Sequence, residues 1–386
     1  MLPAAGSAVA EDLKDGNKWQ VAPLVSDASR GFFLIEVKIG ERQATLLLDT
    51  GAAITALSLE GADRLGLEIS EAPGEARGVG GKMKKRRVSI SGMAANGIDF
   101  DVDELTVLPL GLFADTRSWG GFRIDGVLGS DLLRRHQMLV DINSGQLAMP
   151  VSGGGLVADL AREAGYQSIP FIENRSIPLV PGRIAEDEIS VLLDTGASAL
   201  LLDDGFRKEK ELPKYGAGAK ISGAAGAQAS GQTYVANLRI GDAQFANNGA
   251  DIMDLSVFPE DFQVLAGVDY MLACDLIFSY GDRSIFLMSK KVAAQDMGVA
   301  GPMIGTQEAL TARVNRCKLV ATGQVMGFAP GGKLKNAKGE EFQKITFRYR
   351  LRQVLVGDAK PGDTIDFAVA VPMKEADIDH LRARSK

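Results

Sequence analysis

Apolar residues along this chain come in short runs bounded by Gly, Asn, Asp and Pro, the mark of strands joined by tight turns. Residues 33–39 form one such run, Gly40-Glu41-Arg42 supplies a turn, and residues 44–48 form a second run that ends on Asp49-Thr50-Gly51. Further on, 140–149 read as a hairpin turning at Asn143-Ser144-Gly145, and 278–288 as another turning at Gly281-Asp282. Helical spacing is confined to three short windows, 59–67, 132–136 and 156–164. Past residue 289 strand alternation returns over 342–354 and 364–371, with the turn Pro361-Gly362-Asp363 between them. This pattern predicts an all-β protein.

The chain also repeats itself. Leu46-Leu47-Leu48-Asp49-Thr50-Gly51-Ala52 recurs as Val191-Leu192-Leu193-Asp194-Thr195-Gly196-Ala197, 145 positions later. Leu105-Thr106-Val107-Leu108-Pro109 recurs as Leu255-Ser256-Val257-Phe258-Pro259 at a spacing of 150, and Val127-Leu128-Gly129-Ser130-Asp131 as Leu265-Ala266-Gly267-Val268-Asp269 at 138. The last two spacings differ by 12, so the first half carries an insertion at about 110–122, which holds Phe113 and Trp119. Val151-Ser152-Gly153-Gly154-Gly155 opens a flexible joint between the halves. The expected organisation is a flexible tail at 1–28, a first lobe at 29–150, a linker at 151–167, a second lobe at 168–290, a linker at 291–305 and a C-terminal β domain at 306–386.

Composition narrows the chemistry. At 386 residues, 46% hydrophobic and 24% charged, each lobe can bury a core. The formal charge of −6 argues against nucleic-acid binding carried by bulk charge. Lys82, Lys84, Lys85, Arg86 and Arg87 form a local cationic cluster without interleaved aromatics. It reads either as the solvated face of a hairpin or as a patch that steers acidic residues of a ligand. Two histidines, His136 and His380, and two cysteines, Cys274 and Cys317, leave little material for a metal cluster, a Ser-His-Asp site or a disulfide framework. No metal and no cofactor are expected, and carboxylates are the abundant reactive groups. Asp131 and Asp269 are expected to cap the short helices they open. No run approaches the ~18 apolar residues of a membrane span. Ala8-Val9-Ala10 looks like the cleavage end of a signal peptide, which points to a periplasmic or secreted protein and otherwise to a cytoplasmic one whose tail is simply loose.

The two Asp-Thr-Gly triplets carry the sharpest chemical signal. Each is fed by three apolar residues that bury the strand, and each ends on a glycine that lets the backbone turn closely against a partner. If the lobes pack about a pseudo-twofold axis, Asp49 and Asp194 meet there. Two carboxylates that close cannot both ionise readily, so the pair shares a proton over a wide pH span. The charged member can deprotonate a water while the protonated member polarises a carbonyl. The hydroxyls of Thr50 and Thr195 can hydrogen-bond across the same axis.

On these residues the chain resembles the aspartic peptidases, in particular the retropepsin-like bacterial kind duplicated in one polypeptide; the resemblance covers about 30–150 and 168–290. It implies two pseudo-symmetric β lobes and endopeptidase action on extended polypeptide substrates by a monomer that is an intramolecular pseudo-dimer. By that match Asp49 and Asp194 correspond to the catalytic aspartates, and Thr50, Gly51, Thr195 and Gly196 to their loop partners. Gly129 and Gly267 correspond to the glycines of the supporting loops. Flap hairpins correspond to Val79, Gly80 and Gly81 in the first lobe and to Gly223, Ala224 and Ala225 in the second. The insertion with Phe113 and Trp119 is expected to set side-chain preference. The family often has Ser or Thr four residues beyond the triplet's glycine; the first lobe keeps Thr55, whereas the second has Leu200. A catalytically silent peptide-binding module of the same shape is the alternative reading. The C-terminal domain loosely resembles small OB-type barrels.

Overall fold

In the computed structural model each lobe is built round one strand sealed on both faces. Leu46, Leu47 and Leu48 of the strand Arg42–Leu48, and Val191, Leu192 and Leu193 of Asp187–Leu193, are buried without alternation. Apolar side chains above and below the sheet account for that, since a strand covered twice needs no polar face. The structure describes residues 8–27, 32–78, 81–113, 122–151, 156–172, 176–198, 200–212, 214, 220–221, 227–228, 231–235, 238–245, 248–256, 258, 261–272, 274–289, 320–335, 341–356 and 364–371. The chain divides into two compact units, Met1–Thr306 and Gln307–Lys386.

Strand for strand, the second lobe repeats the first. In lobe 1 the sheet order includes Gly81–Ser89, Glu104–Leu108, Ala56–Ser58, Gly126–Leu128, Arg42–Leu48 and Phe32–Ile39. In lobe 2 it includes Gly231–Val235, Asn248–Met253, Leu200–Asp203, Val264–Ala266, Asp187–Leu193 and Leu179–Ile184. Gly126–Leu128 runs parallel to the sealed strand with Leu128 beside Leu48, and Val264–Ala266 does the same with Ala266 beside Leu193. The parallel neighbour ends level with the sealed strand, so its last carbonyl is free to hold the next residue. Asp49 N–H donates to Leu128 O and Asp194 N–H to Ala266 O, each at 3.0 Å.

A separate six-stranded antiparallel sheet joins the lobes. Its order is Trp19–Pro23, Gln146–Pro150, Leu139–Asp141, Cys274–Ser279, Ser284–Ser289 and Gln167–Pro170. Each lobe contributes its C-terminal hairpin and one edge strand, and the two hairpins meet with Val140 opposite Phe278. One apolar cluster includes Val9, Leu13, Trp19, Leu139, Ala148, Val157, Ala161, Tyr166, Ile277 and Phe286, drawn from this sheet and from the helices Ala8–Asp12 and Ala158–Glu163.

That cluster corrects two sequence expectations. The described part of the segment expected as a flexible tail, 8–27, is folded, and Val9, inside the expected cleavage motif, is fully buried. The described part of the expected linker holds the helix Ala158–Glu163, tied by Val157 N–H to the carboxylate of Asp282 at 2.9 Å. The two segments are equivalent: in each lobe a one-turn helix precedes an edge strand of the joining sheet. The second helix falls in the 156–164 window of helical spacing and the first in no such window, and the burial of both comes from distant partners.

In the second unit the described residues form an antiparallel three-stranded sheet, Val320–Lys335, Glu341–Val356 and Thr364–Val371 in that order. Among the described residues no helix is long and apolar enough to cross a membrane.

Candidate active site

The two Asp-Thr-Gly loops face each other and interlock. Thr50 Oγ1 donates to Leu193 O at 2.6 Å and accepts the N–H of Thr195 at 3.0 Å. Thr195 Oγ1 donates to Leu48 O at 2.7 Å and accepts the N–H of Thr50 at 3.0 Å. Both threonines are fully buried. Each hydroxyl thereby binds a carbonyl at the end of the opposite sealed strand.

This crossing brings the aspartates together. The carboxyls of Asp49 and Asp194 hydrogen-bond each other. Ala52 N–H donates to Asp49 Oδ1 at 2.8 Å and Gly196 N–H to Asp194 Oδ1 at 2.8 Å, and the nearby N–H of Gly51 favours the charged form of both carboxyls. The glycines are required by space. A Cβ on Gly51 would lie 2.5 Å from the carboxyl carbon of Asp194, and one on Gly196 the same distance from that of Asp49.

Desolvation holds the acidity of both groups above the ordinary carboxylate range. For Asp49 the charge of Asp194 and the hydrogen bond between them push further in the same direction, well above that range, against the N–H groups of Ala52 and Gly51. For Asp194 the opposing groups are the N–H of Gly196, the hydrogen bond from Asp49 and the N–H of Gly51. The pair therefore titrates as one unit that keeps its shared proton to a higher pH than an ordinary carboxyl. Such a unit presents one acid and one base at a single point.

Gly129 and Gly267 sit where any side chain would strike the triplet loops. Their Cβ positions fall 2.7 Å from Ile54 C and 2.5 Å from Ala197 O. Their successors hold those loops, Ser130 N–H donating to Ala52 O and Val268 N–H to Ala197 O, each at 2.8 Å. Thr55 Oγ1 accepts the N–H of Gly129 at 3.0 Å and donates to Asp131 Oδ1 at 2.7 Å. Contrary to the sequence expectation, Asp131 does not cap its helix; Gly129 is the N-cap residue, and the carboxylate is taken by Thr55. In lobe 2 Leu200 stands at the Thr55 position and is buried in its strand.

The first flap expectation falls on a long hairpin, Ser70–Gly78 with Gly81–Ser89, in which Gly78 pairs with Gly81. Its inward residues Ala76 and Met83 pack in one apolar cluster with Phe32, Leu47 and Phe113, and Ala52 and Ile54 of the triplet loop lean on that cluster. Val79, Gly80, Gly223, Ala224, Ala225 and Trp119 lie outside the described residues. Phe113 is buried in a 3-10 turn, Gly111–Phe113, and Phe122 at the far end of the insertion stands edge-on to Phe32 with ring centres 6.3 Å apart. A mirror cluster in lobe 2 includes Leu192, Leu201, Met253 and Phe262, with Ala53, Ala197 and Phe258 leaning on it.

Most of the cationic run is paired along its own sheet. Lys82 meets Glu75 at 2.9 Å, Lys84 and Arg86 both meet Glu71 at 2.5 and 3.6 Å, and Arg87 meets Glu104 at 3.5 Å. These exposed pairs cancel much of the local field and favour the solvated-hairpin reading.

Two residues absent from the sequence-derived site stand directly behind it. Ser130 Oγ donates to Thr50 O at 2.7 Å and lies 3.1 Å from the hydroxyl of Tyr280. Ser130 belongs to a repeated motif, but its counterpart is Val268, so the repeat alone gave it no weight. Comparison with curated proteins yields no match. A family model described as aspartyl protease matches residues 35–132 and 180–270, one stretch in each lobe and each containing an Asp-Thr-Gly strand end. The two lobes of this chain belong to the retropepsin-like aspartyl protease family, written twice in one polypeptide.

Proposed function

We propose that this protein is an aspartic endopeptidase that cleaves peptide bonds within extended polypeptide segments, with Asp49 and Asp194 as the catalytic pair. The observation that carries this reading is the hydrogen bond between two desolvated carboxyls on crossed, rigid loops. The resting pair holds one proton, and we assign it to Asp49. Asp194 takes a proton from a water as its oxygen attacks the scissile carbonyl carbon, while Asp49 passes its proton to the carbonyl oxygen. The tetrahedral adduct then collapses: the proton now on Asp194 moves to the amide nitrogen, the C–N bond breaks, and a hydroxyl of the adduct returns its proton to Asp49 as the carboxyl product forms, so the pair again holds one proton. No covalent acyl intermediate forms, and both carboxyls come from one chain, so a monomer suffices.

The test is incubation of the purified chain with a proteome-derived peptide library. Internal cleavage is expected, abolished by an aspartic-peptidase inhibitor and by either Asp49→Asn or Asp194→Asn. Full cleavage by a folded variant would sink the assignment. A peptide carrying a hydroxyl at the cleavage point should bind at least ~10²-fold more tightly than the matching substrate. Equal binding of the two, without cleavage, would instead identify a silent peptide-binding module.

A further inference from the structure

The backbone around the dyad is symmetric, but the side chains behind it are not. Tyr280 N–H donates to Met138 O at 2.9 Å, and Ile142 N–H donates to Leu276 O at 3.2 Å. These two bonds are exact mates under the 138-residue repeat, so Ile142 occupies in one lobe the place of Tyr280 in the other. Ser130 and Val268 are matched in the same way by their bonds to Ala52 O and Ala197 O. Two hydroxyls, Ser130 of lobe 1 and Tyr280 of lobe 2, thus meet behind the Asp49 loop, whereas their mates Val268 and Ile142 are buried aliphatic side chains.

Ser130 has a single hydroxyl hydrogen, and it is directed at Thr50 O. The contact of 3.1 Å with Tyr280 must then run from the tyrosine hydroxyl to Ser130 Oγ. Thr50 O and Gly51 N–H belong to one peptide group, which lies against the dyad: a Cβ on Gly51 would fall 2.7 Å from both Asp194 oxygens, and its N–H favours the charged form of both carboxyls. Hydrogen bonds arranged head to tail polarise one another, so a donor on the carbonyl side of a peptide strengthens its N–H. Val268 and Ile142 have no hydroxyl to do the same for the Thr195–Gly196 peptide.

We propose that Tyr280 and Ser130 are positioning residues, a relay that runs from the lobe 2 hairpin through Ser130 and the Thr50 carbonyl, strengthens the Gly51 N–H that faces the carboxylate pair and makes the two halves of the dyad unequal. The relay is sealed. Ser130 is fully buried, and Tyr280 is closed over by the ring of Phe171 at 5.6 Å between centres. Burial also pushes the Tyr280 phenol far up, so it remains a donor at every pH at which the protein is folded. The charged groups that bear on it are Asp49 itself and, from the helix Ser130–Arg135, Asp131 and Arg134; Asp131 is held by Thr55.

The role rests on the endopeptidase reading, but its test does not need activity. The dyad is titrated by carboxyl carbon resonances in aspartate-labelled protein, with Asp49→Asn and Asp194→Asn locating the signals. Tyr280→Phe and Ser130→Ala should each raise the apparent pKa of the pair, Ser130→Ala by about half a pH unit and Tyr280→Phe by less. The double variant should match Ser130→Ala alone, because Tyr280 acts only through Ser130. Val268→Ala, which trims the lobe 2 counterpart, should leave the titration unmoved. The acid limb of kcat/KM should shift by the same amount as the resonances. An unmoved titration in folded Tyr280→Phe overturns the relay, as does a double variant in which the two shifts add. Tyr280→Phe keeps the ring, so it decides the matter even if Ser130→Ala does not fold. A titration that moves in a protein that cuts no peptide would retain the relay and remove the endopeptidase reading; cleavage with an unmoved titration would do the reverse.

Discussion

Thr50 and Thr195, 145 positions apart, each donate a hydroxyl to the strand that carries the other and each accept the other's backbone N–H at 3.0 Å. Four hydrogen bonds therefore close at one buried point between the lobes. Deleting either hydroxyl strands a carbonyl and an N–H with no water to replace it.

Thr50→Val and Thr195→Val should each lower the unfolding free energy by about 2–4 kcal/mol, whereas Thr50→Ser should cost about 1 kcal/mol or less. Urea denaturation measures both. A loss under about 1 kcal/mol for the valine variants would mean that the crossed bonds contribute little net stability.

Gly51→Ala and Gly196→Ala place a methyl 2.5 Å from the opposite carboxyl carbon. Both should still fold, since the clash is with a side chain and not with the sheet, but peptidase activity should fall by ~10²-fold or more as the pair is forced apart. Cleavage rates together with circular dichroism check this. Activity near wild type in either variant would show that the loops have more slack than the geometry allows.

The dyad should make the protein less stable as pH rises. Both carboxyls have folded pKa values above the unfolded value, near 4. Between those limits the native state binds more protons than the unfolded chain, so the unfolding free energy falls with increasing pH. Asp49→Asn, which never ionises, should match the native chain below about pH 3 and exceed it at pH 7 by on the order of 1–2 kcal/mol. An inactive variant that is also less stable than wild type at pH 7 would contradict the sign.

A buried ion pair in lobe 1 has a neutral equivalent in lobe 2. Asp125, whose side chain is 4% exposed, accepts two hydrogen bonds from Arg64 at 2.8 and 2.6 Å and the N–H of Thr45 at 2.9 Å. Gln263 takes the corresponding N–H, that of Ser190, with its amide oxygen at 2.9 Å. Arg64→Leu alone should cost about 3 kcal/mol by leaving a carboxylate unpaired, and adding Asp125→Gln should recover most of it. Thermal unfolding of the single and double variants decides; no recovery would mean that the arginine acts through packing.

Much of the site could be read from residue order. Apolar runs leading into Asp-Thr-Gly are local signals, because a strand sealed on both faces shows itself by uninterrupted burial of its own side chains. The repeat spacing located the insertion between Pro109 and Gly126 for the same reason. Glycines at 51, 129, 196 and 267 were legible because a missing side chain is itself a statement about close approach.

Other features depend on partners far away in sequence and leave no local trace. Val9, Leu13 and Trp19 look like a loose tail until the joining sheet and the helix Ala158–Glu163 provide something to bury them against. Asp131 looks like a helix cap until Thr55 approaches it across the sheet. Ser130 and Tyr280 look ordinary, since a hydroxyl gains a role only from the group it meets and theirs meet 150 positions apart. Residue order could specify strand ends and glycines because those follow from each segment's own pattern. Which hydroxyl faces which carbonyl was settled by folding, since hydrogen-bond direction and distance exist only between segments already packed together.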